Sequence, residues 1–198
     1  MMQGYFSQHE NPSVVFDMFF DLAYLESLGV FHREFLDLLS RFKFRGDLWA
    51  MEEGTLAFPG EPLVRVHGSL IEAQLVESAL LAILNFQTLI ATKTARIRLA
   101  ANEGSIVEFG LRRAQGVDGA LSASRAAFIG GAAATSNTLA GKLYGIPVRG
   151  TMAHSWVMAF SSERESFEKY AETYPDATVL LIDTYDTLGS GIENAIAV

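Results

Sequence analysis

The 198-residue sequence contains no cysteine. Disulfides, thiolate metal sites and a cysteine nucleophile are therefore excluded, and a cytoplasmic location is expected. Charge is modest, with 19% charged residues against 49% hydrophobic, a globular composition far from a disordered one. The opening MMQGYFSQHENPS has neither a basic n-region nor an apolar core, so no signal peptide is expected. Polar residues interrupt the most apolar stretch, Leu70 to Ala101, at Glu72, Gln74, Glu77, Asn85 and Gln87. That pattern predicts a buried helix rather than a membrane span. No histidine pair at helical spacing suggests zinc, and GxGxxG, Walker and GxSxG patterns are missing.

Basic residues are outnumbered, for a net charge of −8, which argues against a general nucleic-acid binder. Their distribution is uneven. From Lys93 to Arg149 eight basic residues face three acidic ones, a local +5 that leaves −13 elsewhere. A basic island in an acidic chain suits a small anionic ligand. Alternatively, Arg96 and Arg98 simply complement a helix C-terminus.

The residues present predict an α/β fold. Val14–Phe20 is a β-like run, and apolar spacing from Asp21 to Phe42 reads as helices broken near Gly29. Asp47–Val66 reads as a small antiparallel sheet, followed by a long helix from about Ser69 to Ala101. After Gly104, short apolar runs at Ser105–Phe109, Ile146–Gly150 and Thr178–Asp183 alternate with helical stretches at Leu121–Gly130, Ser136–Tyr144 and Glu163–Tyr174. Strand–helix alternation predicts a parallel sheet with functional residues at the strands' C-terminal ends. Two domains are expected: 1–103, an N-terminal α/β domain with the long helix, and 104–198, the first part of a (β/α) barrel. A closed barrel takes about 200 residues or more, and 95 follow residue 103. The chain is thus expected to be part of a longer protein. By itself it would leave sheet edges and apolar helix stripes uncovered.

Four clusters carry candidate chemistry. In Glu108-Phe-Gly-Leu-Arg-Arg113, Phe109 offers a face for a planar ring and Arg112 a guanidinium for a carboxylate or phosphate. A core phenylalanine with surface arginines is the plainer alternative. In Ala134-Thr-Ser-Asn-Thr138, small hydroxyl residues either cap a helix or leave its N–H groups for phosphate. In Arg149-Gly-Thr-Met-Ala-His-Ser155, His154 follows a strand end, suited to a base or phosphoryl-accepting nucleophile, or else a structural histidine. In Asp183-Thr-Tyr-Asp-Thr187, Asp183 would orient His154 or hold Mg²⁺ through water, whereas Asp186 reads as a turn former.

Taken in order, EFGLRRAQG, SAS, TSNTLAGKLYGIPVRGTMAHS and LLIDTYDT resemble the nicotinate phosphoribosyltransferase family. MMQGYF, FRGDLWAMEEGT and LNFQTLIATKTAR are similar to its earlier landmarks. The resemblance implies an N-terminal α/β domain beside an irregular barrel of the type II phosphoribosyltransferase kind. It also implies a head-to-tail homodimer with shared active sites, without nucleic-acid or membrane partners. The implied reaction joins nicotinate to phosphoribosyl pyrophosphate, giving nicotinate mononucleotide and pyrophosphate for NAD salvage. ATP hydrolysis would be coupled through a phosphohistidine, with Mg²⁺ accompanying ATP and phosphoribosyl pyrophosphate. On this resemblance His154 is the phosphorylated residue and Asp183 its partner. Thr151 contacts nicotinate, Phe109 and Arg112 stack the ring and bind its anion, and Ser136 lines the same pocket.

The family's TDLYQLTM-like opening, an RKNPFGG-like loop after Phe20 and the C-terminal barrel half have no counterpart here. Family activity is accordingly expected of the intact protein and not of this chain alone. The alternatives are a quinolinate- or nicotinamide-type phosphoribosyltransferase, or a non-catalytic half-protein completed by a partner chain.

Overall fold

The computed structural model describes residues 20–198, so the strand expected at Val14–Phe20 lies, Phe20 apart, outside the described residues. The chain folds as two compact units, one running to Gly104 and including Arg125–Ala132, the other formed by Ser105–Ser124 and Ala133–Val198.

In the first unit, helices α1 (Leu22–Ser27) and α2 (Arg33–Ser40) are separate, as the break near Gly29 predicts. Asp21 caps α1 by accepting from the Tyr24 N–H at 3.0 Å. Leu36 and Leu39 are the buried face of α2. Strands β1 (Asp47–Ala50) and β2 (Val64–His67) form the expected antiparallel pair, with Asp47 opposite His67 and Ala50 opposite Val64.

Helix α3 (Leu70–Ala100) starts at a capping box. The Ser69 hydroxyl accepts from the Glu72 N–H at 3.3 Å, and Glu72 Oε2 accepts from the Ser69 hydroxyl at 2.9 Å. The Ser69 hydroxyl, ahead of backbone donors at Ser69 and Arg45, holds the Glu72 carboxyl below its ordinary pKa.

The expectation of a buried helix fails for α3. Thr94 is its one buried residue, and Leu70, Leu81, Leu89 and Leu99 are exposed. By length and composition alone α3 is long and apolar enough to cross a membrane. Its apolar residues run all around the helix rather than along one stripe, so no single face can bury them all. Gly130 comes so close to the helix that a Cβ would stand 2.4 Å from the Ala91 carbonyl oxygen. Only glycine fits there.

In the second unit, β3 (Val107–Glu108) and β4 (Ala134–Thr135) pair in parallel, Val107 with Ala134 and Glu108 with Thr135. Val148 adds a parallel bridge to Thr135, whose N–H donates to Pro147 O at 3.0 Å and whose carbonyl accepts from Arg149 N at 3.1 Å. The parallel sheet is therefore real, but shorter than the sequence suggests. Ser105–Phe109 contributes two strand residues, and Ile146–Gly150 a single bridge. Thr178–Asp183 pairs with no strand among the described residues. A ladder needs a neighbouring strand, and β propensity alone does not supply one.

The helices run α4 (Gly116–Ile129), α5 (Thr138–Tyr144), α6 (His154–Met158), α7 (Glu163–Thr173) and α8 (Ile192–Ile196), the last preceded by a π-turn over Thr187–Gly191. Helix α4 starts five residues before the expected Leu121, and α5 two residues after the expected Ser136. Helix α6, unforeseen, packs on α7, and α7 packs on α8. Met152, Val157 and Phe167 are the buried core of this region, joined by Trp156, Tyr170, Leu180, Leu181, Ile182 and Ala195. The apolar run Leu180–Ile182 is half-buried here without being a strand.

Candidate active site

Two groups of expected site residues assemble in the second unit. The first sits where β3 and β4 end side by side. Because Glu108 registers with Thr135, the next residues, Phe109 and Ser136, emerge together at the C-terminal edge of the pair. The Ser136 N–H donates to the Glu108 carbonyl at 2.9 Å, extending the ladder by one bond. Phe109 is 47% exposed, its ring available for stacking. Arg112 lies in the single 3₁₀ turn Leu111–Arg113 that follows. Its guanidinium is exposed and makes no ion pair or side-chain hydrogen bond among the described residues.

Beneath this edge lies a buried polar cluster that sequence reasoning missed. Thr135, Ser124 and Asn137 are all nearly inaccessible. The Thr135 hydroxyl donates to Glu108 Oε2 at 2.7 Å, and the Ser124 hydroxyl lies 2.9 Å from the same oxygen. Glu108 Oε1 accepts from the Gly110 N–H. Asn137 Nδ2 donates to Ser124 Oγ at 3.3 Å, while Asn137 Oδ1 accepts from the Ala140 N–H at 3.2 Å. The cap of α5 is thus Asn137 and not a hydroxyl residue, and it takes the Ala140 N–H. The signal for the cluster was the density of small polar residues in SAS and TSN. Their partner, Glu108, sits 27 residues before Thr135 and carries no local mark of its role.

The second group surrounds α6. His154 is the first residue of this short helix. Its Nδ1 lies 3.3 Å from the Thr184 hydroxyl and its Nε2 3.9 Å from Asp183 Oδ1. The structure therefore brings His154 and Asp183 together as expected. The gap of 3.9 Å exceeds hydrogen-bond length. Both side chains are about half exposed, which leaves the imidazole accessible to a ligand. Thr184 was not foreseen. Thr151 is exposed, its hydroxyl 2.9 Å from the Met152 carbonyl, and Met152 anchors the segment in the core.

Asp183 is positioned by backbone packing. Gly191 comes so near that a Cβ would stand 2.0 Å from the Ile182 carbonyl oxygen. Gly191 N also donates to Asp186 O at 2.8 Å. Asp186 is the turn former expected, accepting from Gly189 N at 3.1 Å.

The basic island is partly committed elsewhere. Arg125 pairs with Glu53 at 2.6 Å and donates to Gln87 at 3.1 Å. Arg98 donates to the carbonyls of Asn102 and Gly104 just past the end of α3, as the helix-terminus alternative anticipated. Among the described residues, no three His, Asp or Glu side chains converge as metal ligands.

Residues 21–85 match the N-terminal domain of nicotinate phosphoribosyltransferase. The chain is 52% identical over 178 residues to nicotinate phosphoribosyltransferase of Bacillus subtilis, covering 90% of this chain and 36% of that protein. Its structure matches human nicotinic acid phosphoribosyltransferase with a TM-score of 0.80 at 35% identity, over 90% of this chain and 46% of that one. It matches nicotinate-nucleotide pyrophosphorylase of Pyrococcus furiosus with a TM-score of 0.66 at 28% identity, over 77% and 39%. The fold is accordingly α/β of the type II phosphoribosyltransferase kind. The chain spans little more than a third of the length of the curated relatives it matches.

Proposed function

Because the chain belongs to the nicotinate phosphoribosyltransferase family, we propose that the full-length protein joins nicotinate to phosphoribosyl pyrophosphate and couples the step to ATP through a phosphohistidine at His154. The observation carrying this reading is the pairing of an accessible imidazole with Asp183 and Thr184, 3.9 and 3.3 Å away, beside a strand-end edge that presents Phe109 and Ser136.

In the transfer step the nicotinate ring nitrogen attacks C1 of the phosphoribosyl group, and the bond from C1 to the pyrophosphate oxygen breaks. Phe109 stacks the pyridine ring, Ser136 and Thr151 line its pocket, and Arg112 faces its carboxylate. Holding both reactants in one geometry supplies much of the rate. In the coupled step an imidazole nitrogen of His154 attacks the γ-phosphorus of ATP. ADP leaves, and water later releases phosphate. Asp183 holds the ring's orientation and stabilises its positive charge. Mg²⁺ would accompany the phosphates of both substrates and neutralise their charge, with Asp183 the residue here that would hold it through water. We place the protein in the cytoplasm, in a homodimer whose sites combine residues of both subunits.

Two variants of the full-length protein test the roles. His154→Ala should lose the acid-labile phosphate formed with ATP yet retain slow transfer, because positioning and charge stabilisation remain. A phosphate that persists in that variant would remove His154 from the reaction. Arg112→Ala should lose selection of the acid over the amide. A charge-assisted contact of about 1.5–3 kcal/mol corresponds to roughly ten- to a hundredfold. An unchanged nicotinate to nicotinamide ratio with weaker phosphoribosyl pyrophosphate binding would assign Arg112 to the phosphate instead.

A further inference from the structure

We infer that Glu108 is a positioning residue for the pyridine-binding edge, a role that rests on the proposed reaction and adds a residue to it. Its half-buried side chain is contacted from three separate elements. Gly110 N–H donates from the start of the 3₁₀ turn, Thr135 Oγ from β4 at 2.7 Å, and Ser124 Oγ lies 2.9 Å away on α4. Its own backbone carbonyl takes the Ser136 N–H at 2.9 Å.

One residue thus holds both sides of the edge. The Gly110 contact fixes the chain between Phe109 and Arg112, and the Thr135 and Ser136 contacts fix the segment bearing Ser136. Thr135 carries the constraint further, since its backbone binds Pro147 and Arg149, the start of the segment that leads to Thr151. Thr135 and Ser124 are buried, and the Ser124 hydroxyl, also 2.9 Å from the Ala120 carbonyl, has one proton for the two acceptors; a carboxylate can accept from all three groups at once. Without it the Thr135 and Ser124 hydroxyls keep one another and Asn137, but the Gly110 N–H loses its partner and the 3₁₀ turn loses its tether. The ring-stacking and hydroxyl groups would then drift apart, and ground-state binding of the pyridine would weaken before the chemistry did.

The test uses the full-length protein and its Glu108→Ala, Glu108→Gln and Thr135→Val variants. Glu108→Ala should raise KM for nicotinate about tenfold or more, with kcat and KM for phosphoribosyl pyrophosphate within about threefold of wild type. Glu108→Gln should recover most of the loss, because its amide oxygen can take Gly110 N–H while its NH₂ donates to the rotatable hydroxyls. Thr135→Val should shift KM in the same direction by less.

Amide hydrogen exchange in the ligand-free protein gives a second readout that does not depend on the reaction. Exchange should quicken over 109–115 and 134–140 in Glu108→Ala and stay unchanged over 163–173. If Glu108→Ala does not fold, Thr135→Val and Glu108→Gln carry both readouts. An unchanged KM for nicotinate, or kcat and both KM values changing together with protection lost across 163–173, overturns the positioning role. If the wild-type protein does not use nicotinate, the proposed reaction fails, and the exchange pattern alone then decides whether Glu108 orders the edge.

Discussion

Helices α3 and α7 invert the expected relation between composition and burial. Helix α3 has five charged residues in 31 and an 18-residue window of mean hydropathy 1.5, yet it buries only Thr94. Helix α7 has six charged residues in 11, yet it buries Glu163, Ser166 and Phe167. The difference is the partner surface. Phe167 meets Met152 and Val157, whereas much of α3 meets nothing among the described residues. Helix α7 even buries a carboxylate: Glu163 Oε2 accepts from Asn194 Nδ2 at 3.0 Å, while Oε1 has no partner among the described residues. Apolar content thus measures the gain available on burial, and the fold decides whether that gain is realised.

The sharpest way to break the comparison is to truncate one large side chain on each helix. Phe167→Ala in the full-length protein should cost about 3–5 kcal/mol, as fully buried aromatics do, read by urea denaturation. Leu89→Ala should change stability by about 0.5 kcal/mol or less if Leu89 is as exposed there as it is here. A loss above about 2 kcal/mol at Leu89 would show that the remainder of the full-length protein covers α3.

The 198-residue chain expressed alone tests the same point from the other side. With Leu81, Leu89 and Leu99 on its surface it should bind ANS and lack a sharp near-ultraviolet transition, and it should form no nicotinate mononucleotide. A monodisperse monomer with a cooperative melt would show that the exposed face of α3 needs no cover.

Smaller effects sharpen the contrast at the helix starts. Ser69→Ala should cost about 1 kcal/mol and flatten the acid limb of stability. Glu72 is held below its ordinary value in the folded state, so its contribution is present above the unfolded carboxyl's pKa. That contribution is lost as pH falls through the depressed folded value. Thermal melts followed by helical circular dichroism from pH 3 to 7 read both effects. An acid limb identical in wild type and variant would dissociate Glu72 from the cap. On α7, Arg164→Ala should remove an exposed i,i+4 pair with Glu168 worth only about 0.3–0.5 kcal/mol, its N–O distance of 2.9 Å notwithstanding. A larger loss would mean that the surface of α7 contributes more than its buried side implies.

Local grammar was enough to read much of the chain. The apolar stretch from about Ser69 to Ala101 announced α3, and the short extended pieces within Asp47–Val66 announced the β1–β2 pair. The order EFGLRR, TSN, RGTMAHS and IDTYDT announced the family, and with it His154 and Asp183 as neighbours. Those signals act over a few residues, where spacing alone sets the geometry, or belong to a motif order carried whole.

What the tertiary structure decided depends on partners distant in sequence. It left Leu180–Ile182 half-buried without a ladder, and it committed Arg125 to Glu53 and Gln87. It set Thr184 against the ring of His154, 30 residues away, and it gathered Ser124 and Thr135 onto Glu108. It also left α3 exposed. A hydrogen bond or a buried face needs two surfaces, and a single stretch of sequence specifies only one of them.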